Sequence, residues 1–271
     1  MQLRGKVVVI TGASSGIGKA CAIEFARAAA IPVLVARRRS ALTALAAVLR
    51  SQFRVTPYVV AVDLCDPDAL NEAFRAQRIA FSRVAILVNN AGIGLGRRMF
   101  AESQPDQWDA VLQTNVLGLM RVTRLIAPSM LARSRGHIIN IGSIAGREPY
   151  ARGSVYCASK AAVASFTASL RQELHPHGIR VTTVDPGLVR TPFGRRLMNG
   201  DRQAARALYA RMRPLTAKDI ADVVVFCATR PRHVSVTDVL VLPTDQSTAT
   251  AIHRRRFLSR PRSHATRPLA R

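Results

Sequence analysis

Short runs rich in Val and Ile alternate along the chain with longer Ala- and Leu-rich stretches of helical period. Brief apolar runs bounded by turn residues suit strands covered on both faces, while apolar residues recurring every three or four positions suit amphipathic helices. The pattern predicts strands over 6–10, 32–36, 56–62, 84–88, 136–141, 180–184 and 239–242. Between them it predicts helices over 16–30, 41–52, 67–80, 105–134, 154–175, 201–211 and 217–230. Asp66-Pro67 and Gln104-Pro105 place proline in a first helical turn, and His177-Gly178 stops a helix before the next strand.

This strand–helix rhythm is that of a parallel sheet with helices on both faces. With no internal repeat or linker-like interior, residues 1–252 read as a single α/β domain. The remaining stretch, 253–271, carries seven arginines, no acid and no apolar periodicity, and is expected to be a disordered basic tail.

Composition changes this picture little. No apolar stretch approaches the roughly 18 residues of a membrane span, and Met1-Gln-Leu-Arg-Gly-Lys6 runs directly into the first strand with no secretory pattern. A cytoplasmic location is the expectation. Cys21, Cys65, Cys157 and Cys227 lie far apart, without metal-ligand spacing, and read as reduced apolar residues. The formal charge is +24, yet only Lys6, Lys19, Lys160 and Lys218 are lysines. Such arginine-heavy usage fits base composition, or an electropositive surface attracting phosphorylated cofactor, acidic substrate or nucleic acid. Few aromatics and no nucleic-acid module leave no specific nucleic acid as the expected partner.

Chemistry gathers where the predicted strands end. The first enters Thr11-Gly12-Ala13-Ser14-Ser15-Gly16-Ile17-Gly18 and then a helix. Glycines let backbone approach a ligand closely, and a helix start offers free N–H groups to a pyrophosphate. Further along come Asp63-Leu64, Asn89-Asn90-Ala91-Gly92, Asn115, Ser143, Tyr156-x-x-x-Lys160 and Pro186-Gly187. Together, in this order, these motifs identify the chain as resembling the short-chain dehydrogenase/reductase family over residues 6 to 245. The resemblance implies a Rossmann-like, doubly wound parallel sheet of about seven strands. It also implies hydride transfer between a nicotinamide cofactor and a carbonyl or secondary alcohol.

Tyr156 and Lys160, four apart, share one helical face. A free tyrosine titrates near about 10. A neighbouring ammonium is expected to lower that value and let Tyr156 exchange a proton with the substrate oxygen. The resemblance gives Lys160 the nicotinamide ribose, Ser143 the substrate oxygen, and Asn115 a water linking Lys160 to solvent. It assigns Gly12, Ser14, Ser15, Gly16, Ile17 and Gly18 to the pyrophosphate loop, and Asp63 and Leu64 to the adenine. Asn90, Ala91 and Gly92 would run beside the adenosine, with Pro186, Gly187 and Thr191 at the carboxamide.

Cofactor preference turns on Ala36-Arg37-Arg38-Arg39 at the end of the second strand. No carboxylate stands there to bond a ribose 2′-hydroxyl, and a guanidinium can grip a 2′-phosphate with two N–H groups. NADP(H) is the expectation, with Arg37 the first-choice clamp and Arg38 the second.

Substrate identity should reside in 188–213 and 144–153. These hold Arg195, Arg196, Arg202, Arg206, Arg147 and Arg152, which suit an anionic substrate such as a 3-oxo or 3-hydroxy acid, or else form a solvated lid around a site for ketones. The glycine-rich, basic stretch 92–98 departs from the family pattern and has no assigned role. A homodimer or homotetramer packed through 105–134 and 154–175 is implied by the resemblance. Two other classes stand beside the enzyme: a non-catalytic NADP-binding regulator, or a nucleic-acid-associated basic protein on the same fold.

Overall fold

In the computed structural model, which describes residues 2–255, Val7–Thr11 (β1) is buried along its whole length. It lies mid-sheet, parallel to both Ile31–Ala36 (β2) and Val84–Asn89 (β4). With Tyr58–Ala61 (β3), Gly136–Ile141 (β5), Ile179–Pro186 (β6) and Asp238–Val241 (β7), the order is β3-β2-β1-β4-β5-β6-β7, parallel throughout. Each predicted strand is present within two residues at its ends. The strand order reverses between β1 and β4, opening a crevice at the carboxyl edge where ligands of such sheets bind.

The helices are α1 (Gly16–Arg27), α2 (Arg39–Phe53), α3 (Pro67–Ala76), α4 (Arg78–Ser82), α5 (Pro105–Leu112), α6 (Gly118–Leu131), α7 (Ser154–Leu174), α8 (Phe193–Leu197), α9 (Arg202–Leu208) and α10 (Ala217–Thr229). Alternation along the strands feeds two cores. Val8, Ile10, Ile86 and Ile139 pack with α1, α2 and α10, while Val7, Val9, Leu87 and Ile138 pack with α3, α4, α6 and α7. At about 1.5–3 kcal/mol per fully buried aliphatic side chain, these two layers dominate the stabilisation. Caps match the sequence signals. Asp66 accepts from the Asp68 and Ala69 amides ahead of α3, and Thr216 and Asp219 form a capping box on α10. No described helix is long and apolar enough to cross a membrane.

Three departures from periodicity have physical causes. The helix expected over 67–80 breaks at Gln77, which leaves helical geometry (φ −110°, ψ 27°). The bend stacks Phe74 on Phe81 at 3.8 Å between ring centroids, burying both. The helix expected over 105–134 is interrupted by a π-helical turn, Gln113–Leu117, carrying the buried Asn115. Short α8 was not foreseen, because five residues cannot display a period.

The expected tail boundary also moves. His253 donates to the Asp245 carbonyl (2.7 Å), Arg254 reaches the Leu208 carbonyl (3.2 Å), and Arg255 pairs with the Asp245 carboxylate (3.0 Å). Residues 253–255 are therefore held against the domain. The rest of the expected tail, 256–271, lies outside the described residues.

Candidate active site

The carboxyl ends of β1, β2, β4, β5 and β6 open into one cavity of about 470 Å³. Its floor begins at the glycine loop. Gly12 takes φ +67°, and a Cβ there would lie 2.8 Å from Asn90 Nδ2 and 2.9 Å from Ala91 Cα. The Asn90 and Ala91 amides both donate to Thr11 Oγ1 at 3.0 Å, and Asn90 Nδ2 donates to the Thr11 carbonyl at 2.9 Å. The loops after β1 and β4 are thus locked together. Gly12, Ser14, Ser15, Gly16 and Ile17 line the cavity. Gly18 does not: it is buried beneath them, where a Cβ would come 2.5 Å from Asn90 Nδ2 and the Gly12 carbonyl oxygen. Its part is close packing of α1 on the loop rather than ligand contact.

At one end of the cavity stand Arg37, Arg38, Asp63 and Leu64. The two arginines have different tasks. Arg38 Nη2 donates to the Ser14 carbonyl (3.1 Å) and hydroxyl (3.0 Å), tying the end of β2 to the glycine loop. Arg37 pairs with Asp63 at 3.4 Å, with side chains 65% and 41% exposed, so solvent screens the pair to at most about 1 kcal/mol. Partial burial would raise the Asp63 carboxyl. The Cys65 amide and the Arg37 guanidinium outweigh it and hold the group below its usual value.

At the other end lie Ser143, Tyr156, Lys160, Pro186, Gly187 and Thr191, with Asn90, Ala91 and Gly92 between the two ends. Lys160 is buried, its Nζ donating to the Ile141 carbonyl at 2.9 Å. Burial brings its pKa down to about 8, against an upward pull from Asp185. Burial likewise pushes the Tyr156 phenol well above its ordinary value, opposed by the Ser143 hydroxyl and reinforced by Tyr150, Cys157 and Asp185. The lowering expected from Lys160 is thus corrected: desolvation governs Tyr156, and the Lys160 ammonium engages Ile141 instead.

Asn115 stands behind the cavity wall. Its Oδ1 accepts from the Ile93 amide (2.7 Å), while Nδ2 donates to the Ile93 carbonyl (2.9 Å) and Ser159 Oγ (3.0 Å). The extra residue of the π turn aims it inward. It joins the loop after β4 to α7, the helix bearing Tyr156 and Lys160.

Sequence reasoning missed Asp185, at the end of β6. This buried carboxylate accepts from the Ser143 amide (3.0 Å) and from Arg147 Nε (2.6 Å). The available signal was Gly142, where any Cβ would overlap the Asp185 carboxylate. Arg147, read from sequence as either a substrate contact or part of a solvated lid, pairs with Asp185 and Asp238. Arg152, Arg195, Arg202 and Arg206 are not among the cavity-lining residues. The arginines that do line it are Arg37, Arg38, Arg97, Arg196 and Arg254.

The glycine-rich stretch after β4 gains a reason. A Cβ at Gly94 would meet Leu197 Cδ1 and Phe193 Cζ at 3.0 Å and Tyr156 Cδ2 at 3.4 Å. Glycine lets α8 settle over the reacting end, where Phe193 packs on Tyr156 at 5.6 Å between centroids. Arg97 lies 5.3 Å over the Tyr150 ring on the same rim.

The shape suits a phosphorylated dinucleotide: the paired loops leave a cradle that a Cβ at Gly12 would fill, with guanidiniums at one end and Tyr156 at the other. The family model described as short chain dehydrogenase matches residues 6–202. An NADP-dependent 3-hydroxy acid dehydrogenase of Schizosaccharomyces pombe is 40% identical over 94% of this chain and 98% of its own. A sulfoacetaldehyde reductase of Chromohalobacter salexigens is 41% identical over 89% and 94%. Among solved structures, the closed form of a serine dehydrogenase complexed with NADP+ superposes with TM-score 0.85, at 34% identity over 90% and 97% of the two chains.

Proposed function

Because the chain belongs to the short chain dehydrogenase family and is an NADP-dependent oxidoreductase acting on CH–OH groups, we propose that Ser143, Tyr156 and Lys160 carry out that reaction on a small 3-oxo or 3-hydroxy acid. The observation that carries this reading is that all three line one cavity with the glycine loop and with Arg37 and Arg38. When bound, NADP(H) supplies or accepts the hydride. The chain's own residues handle the oxygen and its proton. In reduction Tyr156 gives its phenolic proton to the carbonyl oxygen, which becomes the alcohol, while the Ser143 hydroxyl donates a hydrogen bond to that oxygen. Burial raises the Tyr156 phenol above its ordinary value, so the proton that reduction consumes is held on its oxygen.

Lys160, held by the Ile141 carbonyl, would hold the nicotinamide ribose. Arg38, fixed to Ser14, and Arg37, on its weak exposed pair, would hold the 2′-phosphate. An acidic substrate is supported by Arg97 on the rim and by relatives named for 3-hydroxy acids and sulfoacetaldehyde. Leu112 and Leu117, 40% and 39% exposed on the long helical segment, offer apolar surface for a second copy, supporting a homo-oligomer.

The test is NADPH oxidation, followed by nicotinamide absorbance, against ketones, aldehydes and 3-oxo acids, comparing wild type with Tyr156→Phe. Turnover of 3-oxo acids that the variant loses by about a hundredfold or more, with NADPH still bound, is expected. Undiminished turnover in the variant would remove Tyr156 from the chemistry.

A further inference from the structure

The segment after β6 bridges the two ends of the cavity. Thr191 lies against the glycine loop, 3.4 Å from where a Cβ of Gly16 would be. Two residues on, Phe193 covers Tyr156, and Leu197 fills the space left by Gly94. Between them Arg196 lines the same cavity as Arg37 and Arg38. Among the described residues no carboxylate is paired with Arg196, while the like charges that act on it are those two guanidiniums and its neighbour Arg195.

Sequence alone left Arg196 as either a substrate contact or part of a solvated lid. Its place in the cavity suggests a third role. Arg196 shares the cavity with Arg37 and Arg38, on a segment whose Thr191 lies against the glycine loop, and those two guanidiniums act on its charge. Like charges on two elements repel one another, and an anion placed between them relieves that repulsion. A phosphate monoester, carrying about −1.5 to −2 charges, is suited to join them.

We propose that Arg196 is a third guanidinium for the cofactor 2′-phosphate, and that this contact fastens α8 in its place over Tyr156 and the substrate. The proposal rests on the reading that Arg37 and Arg38 hold that phosphate. The choice between NADP and NAD is then made twice. It is made once in binding, and again in how well α8 covers the substrate, because the helix that meets the phosphate also carries Phe193 and Leu197.

The test uses full-length protein and two probes lacking nicotinamide, 2′,5′-ADP and 5′-ADP. Amide hydrogen exchange is read over 191–198, and dissociation constants are measured for both probes, NADPH and NADH. In wild type, 2′,5′-ADP should slow exchange in this segment and 5′-ADP should not. In Arg196→Gln, a change at an exposed position expected to leave the melting temperature at the wild-type value, that protection should vanish. The same variant should bind NADPH and 2′,5′-ADP about tenfold more weakly, with NADH unchanged. Equal weakening for NADPH and NADH would overturn the proposal, as would protection by 2′,5′-ADP that survives in the variant. A loss confined to KM for anionic substrates would overturn it in favour of the substrate reading. Failure of wild type to bind 2′,5′-ADP would overturn the 2′-phosphate reading beneath it, whereas turnover of the carbonyl panel tests the proposed function separately.

Discussion

The Asp185 carboxylate accepts a hydrogen bond from the Ser143 amide at 3.0 Å, joining the loop after β5 to the end of β6. Its other oxygen takes Arg147 at 2.6 Å, so the buried charge is paired and the turn bearing the Ser143 hydroxyl is fixed. Asp185→Asn should therefore lower kcat by about 10- to 100-fold through misplacement of Ser143, with little change in the dissociation constant for NADPH. Steady-state kinetics with cofactor titration check this, and a change confined to cofactor binding would refute it.

Lys160 gives a pH dependence whose sign can be worked out. Its ammonium is lost as pH rises through about 8, so kcat/KM for reduction should decline above that value. The unfolded chain keeps this proton up to the ordinary lysine range near about 10.4, so across that window the Lys160 contribution makes the fold more stable as pH rises. An alkaline activity loss without loss of secondary structure is expected. Circular dichroism recorded beside the rate profile distinguishes the cases, and unfolding that tracks the activity loss would count against Lys160.

His137 governs the acid side. It is buried in β5, with Nε2 2.8 Å from Thr182 Oγ1 and, among the described residues, no hydrogen-bond partner for Nδ1. Burial, with Arg180 adding to it, pushes its pKa down to about 3. The unfolded chain takes up this proton first, so stability should fall as pH drops from about 6.5, by about 1.4 kcal/mol per pH unit. Urea unfolding between neutral pH and pH 4 measures it. His137→Gln, whatever its stability at neutral pH, should lose that one-proton slope.

Arg97 should discriminate by substrate charge. Arg97→Gln is expected to raise KM about tenfold for 3-oxo acids and to leave neutral ketones unchanged. Equal effects on both would make Arg97 a partner of Tyr150 alone.

Legibility from sequence followed the length of the signal. β1 announced itself as four successive apolar residues, Val7 to Ile10, and Tyr156 and Lys160 as a helical pair, so the first strand and the reacting pair could both be placed from sequence. Asn115 was noticed as a poor helix former, yet the π turn that aims it leaves no mark in a 3.6-residue period. Asp185 was silent because its partners, the Ser143 amide and Arg147, lie some forty residues away in sequence. The arginines were hardest to sort, since a chain so rich in them gives no contrast. Only packing separates Arg147, spent on Asp185, from Arg196, which faces the cavity.

The π turn at Gln113–Leu117 also bears on insertions and deletions. It is one residue more than a regular helix would hold between α5 and α6, so a single deletion there would restore an unbroken α-helical ladder. Backbone regularity would improve while every side chain upstream rotated by about 100° against those downstream, carrying Asn115 away from Ile93 and Ser159. Such a shortened chain should melt near the wild-type temperature and turn over poorly. Along this helix, then, natural length variation should be suppressed by catalysis rather than by folding.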